Sequence, residues 1–168
     1  ATNYKMKFEY DGTDNLVLFT DTQWDQAASA WVNKERSRYT YTANNEVASH
    51  EKEMWDAASG RWKYVRRTEY TYTGSEVATS TEYYYSQGWQ PDVKHLFAYN
   101  NNLNKDIETI QAWNPTTQTF INSKQILYGY NHLAMPLSIT GYTWDGGTAT
   151  WVHTNGDEQY RYYYEAVF

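Results

Sequence analysis

A motif of two aromatic residues seven positions apart recurs along this chain, and it limits the fold more sharply than any other feature. WDQAASAW (Trp24–Trp31), WDAASGRW (Trp55–Trp62), WNPTTQTF (Trp113–Phe120) and WDGGTATW (Trp144–Trp151) are four copies, and YSQGW (Tyr85–Trp89) is a shortened fifth. An aromatic pair around an acidic or amide residue and a small-residue turn reads as the tip of a β-hairpin. The second aromatics fall at 31, 62, 89, 120 and 151, a period of 31 residues with one step of 27. A fixed period of this size marks a repeat architecture. All eight tryptophans belong to these tips.

Between tips lies a second turn, announced by an aromatic-x-Tyr doublet: Phe8/Tyr10, Tyr39/Tyr41, Tyr70/Tyr72, Phe97/Tyr99 and Tyr128/Tyr130. Opposed residues in an antiparallel hairpin have numbers that add to a constant, so the assignment can be tested by arithmetic. Trp24 opposite Trp31 agrees with Leu16 opposite Tyr39, and Trp55 opposite Trp62 agrees with Val47 opposite Tyr70. Between repeats, one register places Trp31 opposite Trp55, Tyr39 opposite Val47 and Trp62 opposite Tyr85. It also places Tyr99 opposite Leu103 across Asn100–Asn102, and Tyr130 opposite Ala134 across Asn131–Leu133. The expected fold is all-β: an antiparallel meander of about eleven strands built from hairpin repeats. The strands are expected near residues 3–10, 14–24, 31–41, 45–55, 62–72, 75–85, 89–99, 103–113, 120–130, 134–144 and 151–165. The repeats cover roughly 14–43, 44–74, 75–101, 102–131 and 132–165 of a single domain, residues 1–168. Thr73-Gly74 reads as a two-residue turn and Ser86-Gln87-Gly88 as a three-residue loop. After Trp151 the spacing breaks, and His153–Glu158 is expected to form a bulge or extra turn.

This register sets one face with ten tip aromatics at one end, a Tyr, Val, Leu and Phe row at the other, and Thr20, Thr22, Asn33, Glu35, Glu51, Glu53, Arg66 and Thr68 between them. Arg36, His50 and Arg67 fall on the reverse face. Asp21 with Lys34, Glu51 with Arg66 and Lys94 with Glu108 read as opposed ion pairs. Strands with such polar middles build a dry sandwich core poorly. The expected form is therefore a twisted, largely single-layer sheet, with a rolled or closed barrel as the alternative.

Composition agrees. Leu, Ile, Val and Phe make up only about 15% of the chain, a level that goes with disorder when charge is high. Net charge is only −6, and 18 Tyr and 8 Trp supply the large β-favouring side chains that disordered segments lack. No apolar run is long enough for a membrane-spanning helix. With no cysteine, disulfides and thiolate metal sites are excluded. A pI near 5.1 argues against a nucleic-acid partner. Richness in Tyr, Trp, Asn and Thr without cysteine suggests a bacterial, extracytoplasmic protein: secreted, periplasmic or at the cell surface.

FEYDGTDNL, YTYTANNEV, YTYTGSEV and FAYNNNL resemble YD-type β-hairpin repeats, whose core is an aromatic-x-Tyr-Asp turn followed by Asn-Leu. They are also similar to an uncharacterised family of secreted proteins of gut bacteria. Asp11 alone keeps the Asp after Tyr; the other copies carry Thr or Asn. The resemblance implies an exported or surface protein and brings no catalytic residue.

Two readings of the aromatic row follow. Exposed, coplanar Trp and Tyr could stack on sugar rings; alternatively, the row packs the sheet against itself. Any binding is expected where the repeat is broken, at His153–Tyr164 or, first of the two, at the short tip. There Tyr83, Tyr84, Tyr85 and Trp89, with Gln87 and Gln90 as amide partners, would line a shallow groove suited to a glycan. His50, His95, His132 and His153 share no metal-ligand spacing and read as solvated. Asp11–Asp14 and Asn155–Glu158 lack calcium-loop spacing and read as turns. No catalytic residue, metal site or cofactor is expected. The chain reads as a non-catalytic β-repeat protein that binds a glycan, or as a structural or adhesive module that binds protein partners. A hydrolase would need a converging carboxylate pair.

Overall fold

The computed structural model describes residues 3–153 and the backbone of residues 160–161. Alternating, β-branched and aromatic-rich segments separated by small polar turns give β1 (Tyr4–Tyr10), β2 (Leu16–Asp25), β3 (Ala30–Tyr41), β4 (Val47–Asp56), β5 (Arg61–Thr73) and β6 (Glu76–Tyr85). They continue as β7 (Trp89–Tyr99), β8 (Lys105–Asn114), β9 (Thr119–Tyr130), β10 (Pro136–Asp145), β11 (Thr150–His153) and β12 (Tyr160–Arg161). β1 to β11 follow one another in chain order in one open sheet, β12 pairs with β10, and no helix occurs among the described residues. Among the described residues β1 and β11 do not pair, so these strands do not close into a barrel. Ile139 opposes Tyr160 whereas Trp144 opposes Trp151, so the pairing register on β10 changes between β11 and β12. The bulge or turn expected at 153–158 lies almost wholly outside the described residues.

The chain forms two compact units, residues 1–71 with 81–91 and residues 72–80 with 92–168. In the first, Trp24 opposes Trp31 and Trp55 opposes Trp62, as the tip motif requires. The single register fails further along each strand. Asp21 opposes Glu35 while Thr22 opposes Asn33, so Lys34 is an extra, bulged residue; Val65 is bulged in the same way between Tyr64 and Arg66. Val17 and Ala48 are bulged near the other turn. Between repeats, Tyr39 opposes His50 rather than Val47, and Tyr41 takes Val47. Thus the expected pairing of Tyr39 with Val47, and with it the alignment of Trp31 on Trp55, is corrected by three residues. Two of these come from a longer loop and one from the bulge.

The second unit repeats this pattern. Trp113 opposes Phe120 and Trp144 opposes Trp151, with bulges at Ser123, Asp106 and Leu137. Tyr99 opposes Lys105 and Tyr130 opposes Pro136, so the three-residue loops expected at Asn100–Asn102 and Asn131–Leu133 are in fact five residues long. The two-residue turn is Gly74-Ser75, with Gly74 at φ 64°, one position beyond the expected one.

Side-chain capping explains the longer loops. Asp11 Oδ1 accepts the backbone N–H of Thr13 at 2.8 Å and of Asn15 at 3.0 Å. Thr42 Oγ1 takes Asn44 and Glu46, Asn100 Oδ1 takes Asn102 and Asn104, and Asn131 Oδ1 takes Leu133 and Met135. Asp, Asn and Thr all offer an oxygen at that reach, so they are interchangeable after the doublet tyrosine. The fourth loop residue is left-handed each time: Asp14, Asn45, Leu103 and Ala134. The tyrosine has its own task. Tyr41 donates its hydroxyl hydrogen bond to Leu16 O, Tyr99 to Val77 O and Tyr130 to Lys105 O, at 2.8, 3.0 and 2.8 Å.

No hydrophobic side chain is buried among the described residues; the buried ones are Asp21, Glu53 and Ser80. Cross-strand pairs therefore carry the packing. Trp24–Trp31, Trp55–Trp62, Tyr85–Trp89, Trp113–Phe120 and Trp144–Trp151 all meet edge to face, with ring centroids 5.0 to 5.6 Å apart.

Acid should destabilise this fold. Hydrogen bonds from Asn15 and Thr13 hold the Asp11 carboxyl down from its ordinary 3.8 to about 2, and Lys63 and Ser59 do the same for Asp56. Groups depressed on folding stabilise the native state above their unfolded pKa, and that stabilisation is lost as pH falls through the folded value. His50, lowered by burial and by Lys52, acts in the same direction at higher pH. Thermal midpoints should fall modestly below about pH 6.5 and steeply between about pH 4 and 2; a midpoint flat from pH 7 to 3 would contradict these linkages.

Candidate functional site

The six residues singled out at the short tip lie in the first unit, at the end of β6, in the Ser86–Gly88 turn and at the start of β7. Both Gln87 (φ 57°) and Gly88 (φ 140°) take positive φ, which lets three residues reverse the chain. Tyr85 and Trp89 are brought together, 5.2 Å between ring centroids, and Tyr64 of β5 completes a triangle at 5.3 Å from each. The ring that Tyr85 meets on β5 is that of Tyr64. Tyr83 donates to Glu69 Oε2 at 3.1 Å, and burial together with the Glu69 charge pushes its phenol up. Tyr84, 43% exposed, follows the strand alternation to the face opposite Tyr85. Gln87 and Gln90 are exposed.

A cation closes the free face of Trp89. The Arg67 guanidinium lies 4.5 Å from the ring centroid, fixed by Nε to Glu51 at 2.7 Å and by Nη1 to Glu69 at 3.4 Å. Arg36 stands 4.5 Å over Trp62 in the same way, and Lys94 lies 6.0 Å over Phe120 in the second unit. Each of these cations sits five residues after one tip's second aromatic and covers the second aromatic of the next tip. The expected placement of Arg36 and Arg67 on the reverse face is thereby corrected. The bulges at Lys34 and Val65 break the alternation and turn both guanidinia to the tryptophan side. Likewise Glu51 opposes and binds Arg67, not Arg66. Lys34 reaches Asp21 at 3.9 Å although the direct partner of Asp21 is Glu35.

Arg36 also belongs to the most enclosed polar group of the first unit. Glu53, 2% exposed, accepts from Arg36 Nη2 at 2.8 Å and from Arg38 Nε at 3.0 Å. Burial alone would raise its carboxyl; the two guanidinia outweigh burial and hold it below the usual range.

The second unit holds a polar cluster that spacing did not reveal. Glu108 accepts from Lys105 at 3.1 Å and from the Tyr128 hydroxyl at 3.0 Å, and its other oxygen lies 2.8 Å from His95 Nδ1. Burial pushes the Glu108 carboxyl up, but these hydrogen bonds and the Lys105 charge hold it below its ordinary value. Burial and Glu108 push the Tyr128 phenol to about 12. Lys105 also lies 4.8 Å over Phe97. His95 is thus carboxylate-paired, and His50 is half-buried and stacked 4.8 Å from Tyr39, so neither is the solvated histidine expected. Lys94, expected opposite Glu108, opposes Gln111. No group of three or more His, Asp or Glu side chains among the described residues is placed to hold a metal ion.

The sequence matches no family model and no curated protein. Among solved structures, the chain is similar to a protein of unknown function from Bacteroides fragilis, at 12% identity and a TM-score of 0.44, with 96% of this chain and 93% of that one covered. It is also similar to a DUF3836 family protein from Parabacteroides distasonis, at 10% identity and a TM-score of 0.40, with 71% and 83% covered. A DUF3836 family protein from Bacteroides vulgatus gives 16% identity and a TM-score of 0.37, with 72% and 89% covered. These likenesses are too low to carry an argument about function.

Proposed function

We propose that this chain is a non-catalytic, exported or surface-displayed module of the YD-type hairpin class that works by adhesion to protein partners. One observation carries the reading: each tip aromatic meets its cross-strand partner, and Trp62, Trp89 and Phe120 carry a cation besides, while large apolar side chains such as Met6, Phe8 and Tyr10, and Trp31 among the tips, stay exposed. Trp62 and Trp89, which a sugar ring would stack on, already have Arg36 and Arg67 over their faces. Exposed apolar surface that a monomer does not bury is where partners bind. The polar cap after four of the five doublet tyrosines, at Asp11, Thr42, Asn100 and Asn131, supports the YD-type class, and the cysteine-free, Tyr- and Asn-rich composition supports export. Carboxylates such as Glu53 and Glu108 are saturated by Arg, Lys, His and Tyr, which leaves them poorly suited to acid–base work.

Tyr84 and Tyr85, 43% and 44% exposed, favour the glycan reading as second choice. Labelled protein applied to a panel of bacterial and epithelial cells separates the two. Adhesion to protein predicts binding that is lost after protease treatment of the cells and kept after periodate oxidation of their glycans. The reverse pattern, abolished in Tyr84→Ala with an unchanged melt, would replace this reading with glycan binding. No binding to any cell would overturn both.

A further inference from the structure

We infer that the outer edge of β1 is an acceptor for one extended, acid-bearing strand of another polypeptide; the inference rests on the adhesive reading and names its site. β1 pairs with β2 on one side only among the described residues. Its Phe8/Tyr10 doublet marks it as the same kind of strand as β3, β7 and β9, each of which is flanked on both sides.

Inside the sheet, the second tyrosine of such a doublet donates to the carbonyl at the start of the strand that precedes it, as Tyr41, Tyr99 and Tyr130 do. Tyr10 occupies the same position, is 59% exposed, and its hydroxyl makes no hydrogen bond among the described residues. Tyr4, Met6 and Phe8 on its face are 51%, 59% and 49% exposed. Phe8 meets Phe19 at 5.2 Å and Lys34 lies 4.9 Å over Tyr4, yet both rings stay about half exposed beside Met6 and Tyr10. An edge with such an exposed apolar row is what strand addition uses: main-chain bonds give affinity, and alternate side chains give selectivity.

Charge indicates which strand fits. Five residues before the doublet's second tyrosine stand Lys5, Arg36 and Arg67. Arg67 lies directly opposite Glu51 of the preceding strand and binds it. Lys5 makes no ion pair among the described residues, and Lys7 pairs only with Glu9 of its own strand. A strand like β4, with an apolar first residue and a carboxylate four positions on, would meet Tyr10 with a carbonyl and Lys5 with an acid. Exposed lysines on an edge also disfavour indiscriminate pairing.

The test uses the whole chain and a fluorescent peptide copying residues 46–56, EVASHEKEMWD, read by anisotropy. Saturable binding is expected. Tyr10→Phe should weaken it about fivefold, the worth of one hydrogen bond. Lys5→Glu should weaken it by more than about tenfold, and a peptide with Glu51→Lys should restore binding to that variant. Melts unchanged in both variants exclude a folding effect. The inference is overturned by absence of saturable binding, by Lys5→Glu binding as well as wild type, or by failure of the charge swap to rescue. It is equally overturned if β1 is occupied by a second copy, seen as a dimer that Lys5→Glu disrupts and the peptide does not displace. Loss of peptide binding with protease-sensitive cell adhesion intact would remove this site and leave the adhesive reading standing.

Discussion

Glu53→Ala should cost about 3 kcal/mol in equilibrium urea unfolding, the usual result of removing one partner from a buried ion pair. Glu53 is the least exposed of the described side chains in a sheet that buries no hydrophobic one, and its carboxylate accepts hydrogen bonds from the guanidinia of both Arg36 and Arg38. With the acid gone, Arg36 keeps only its contact with the Trp62 ring, and two like charges are left side by side on β3. Glu53→Gln keeps the shape and one acceptor, so its loss should be smaller. A cost under about 1 kcal/mol for the alanine variant would mean that solvent replaces the carboxylate freely, as it does at surface pairs.

Trp62→Ala should cost about 2 kcal/mol, less than the 3 to 5 kcal/mol typical of a fully buried aromatic because the ring is only half-buried. It loses an edge-to-face partner in Trp55, 5.2 Å away, and the cation of Arg36 at 4.5 Å. These contacts should be coupled. In a double-mutant cycle, Trp62→Ala with Arg36→Leu should cost less than the sum of the singles by about 0.5 to 1 kcal/mol, the scale of a cation–π contact at a partly exposed site. Strict additivity would show that the geometry contributes nothing.

What the sequence made legible follows from which contacts are local. Tip pairs such as Trp55–Trp62 sit seven residues apart, so spacing alone specifies them, and the strands through β10 follow with ends displaced by at most about two residues. The bulges were hidden because no residue type marks them: Lys34, Val65 and Ser123 share a position and no chemistry. Left-handed Leu103 and Ala134 hid the long loops equally well, where glycine would have shown them. At the candidate site, Tyr85 and Trp89 are readable as a tip, whereas the unmarked bulge at Val65 takes Arg67 off the face that strict alternation gives it. A periodic signal for it did exist, since Arg36, Arg67 and Lys94 each stand five residues after a tip aromatic. The Glu108 cluster had no such signal, because His95, Lys105 and Tyr128 come from three different strands.

Cross-strand pairs, not a dry core, hold the described strands together, since no hydrophobic side chain among the described residues is buried. The heat-capacity change of unfolding, from scanning calorimetry across several pH values, tests it most directly, because that quantity tracks the apolar surface a fold removes from water. A globular chain of 168 residues gives about 2 to 2.5 kcal/mol/K. A value near half of that is expected for the monomer, and a monomer at the full globular value would contradict a fold held by cross-strand pairs.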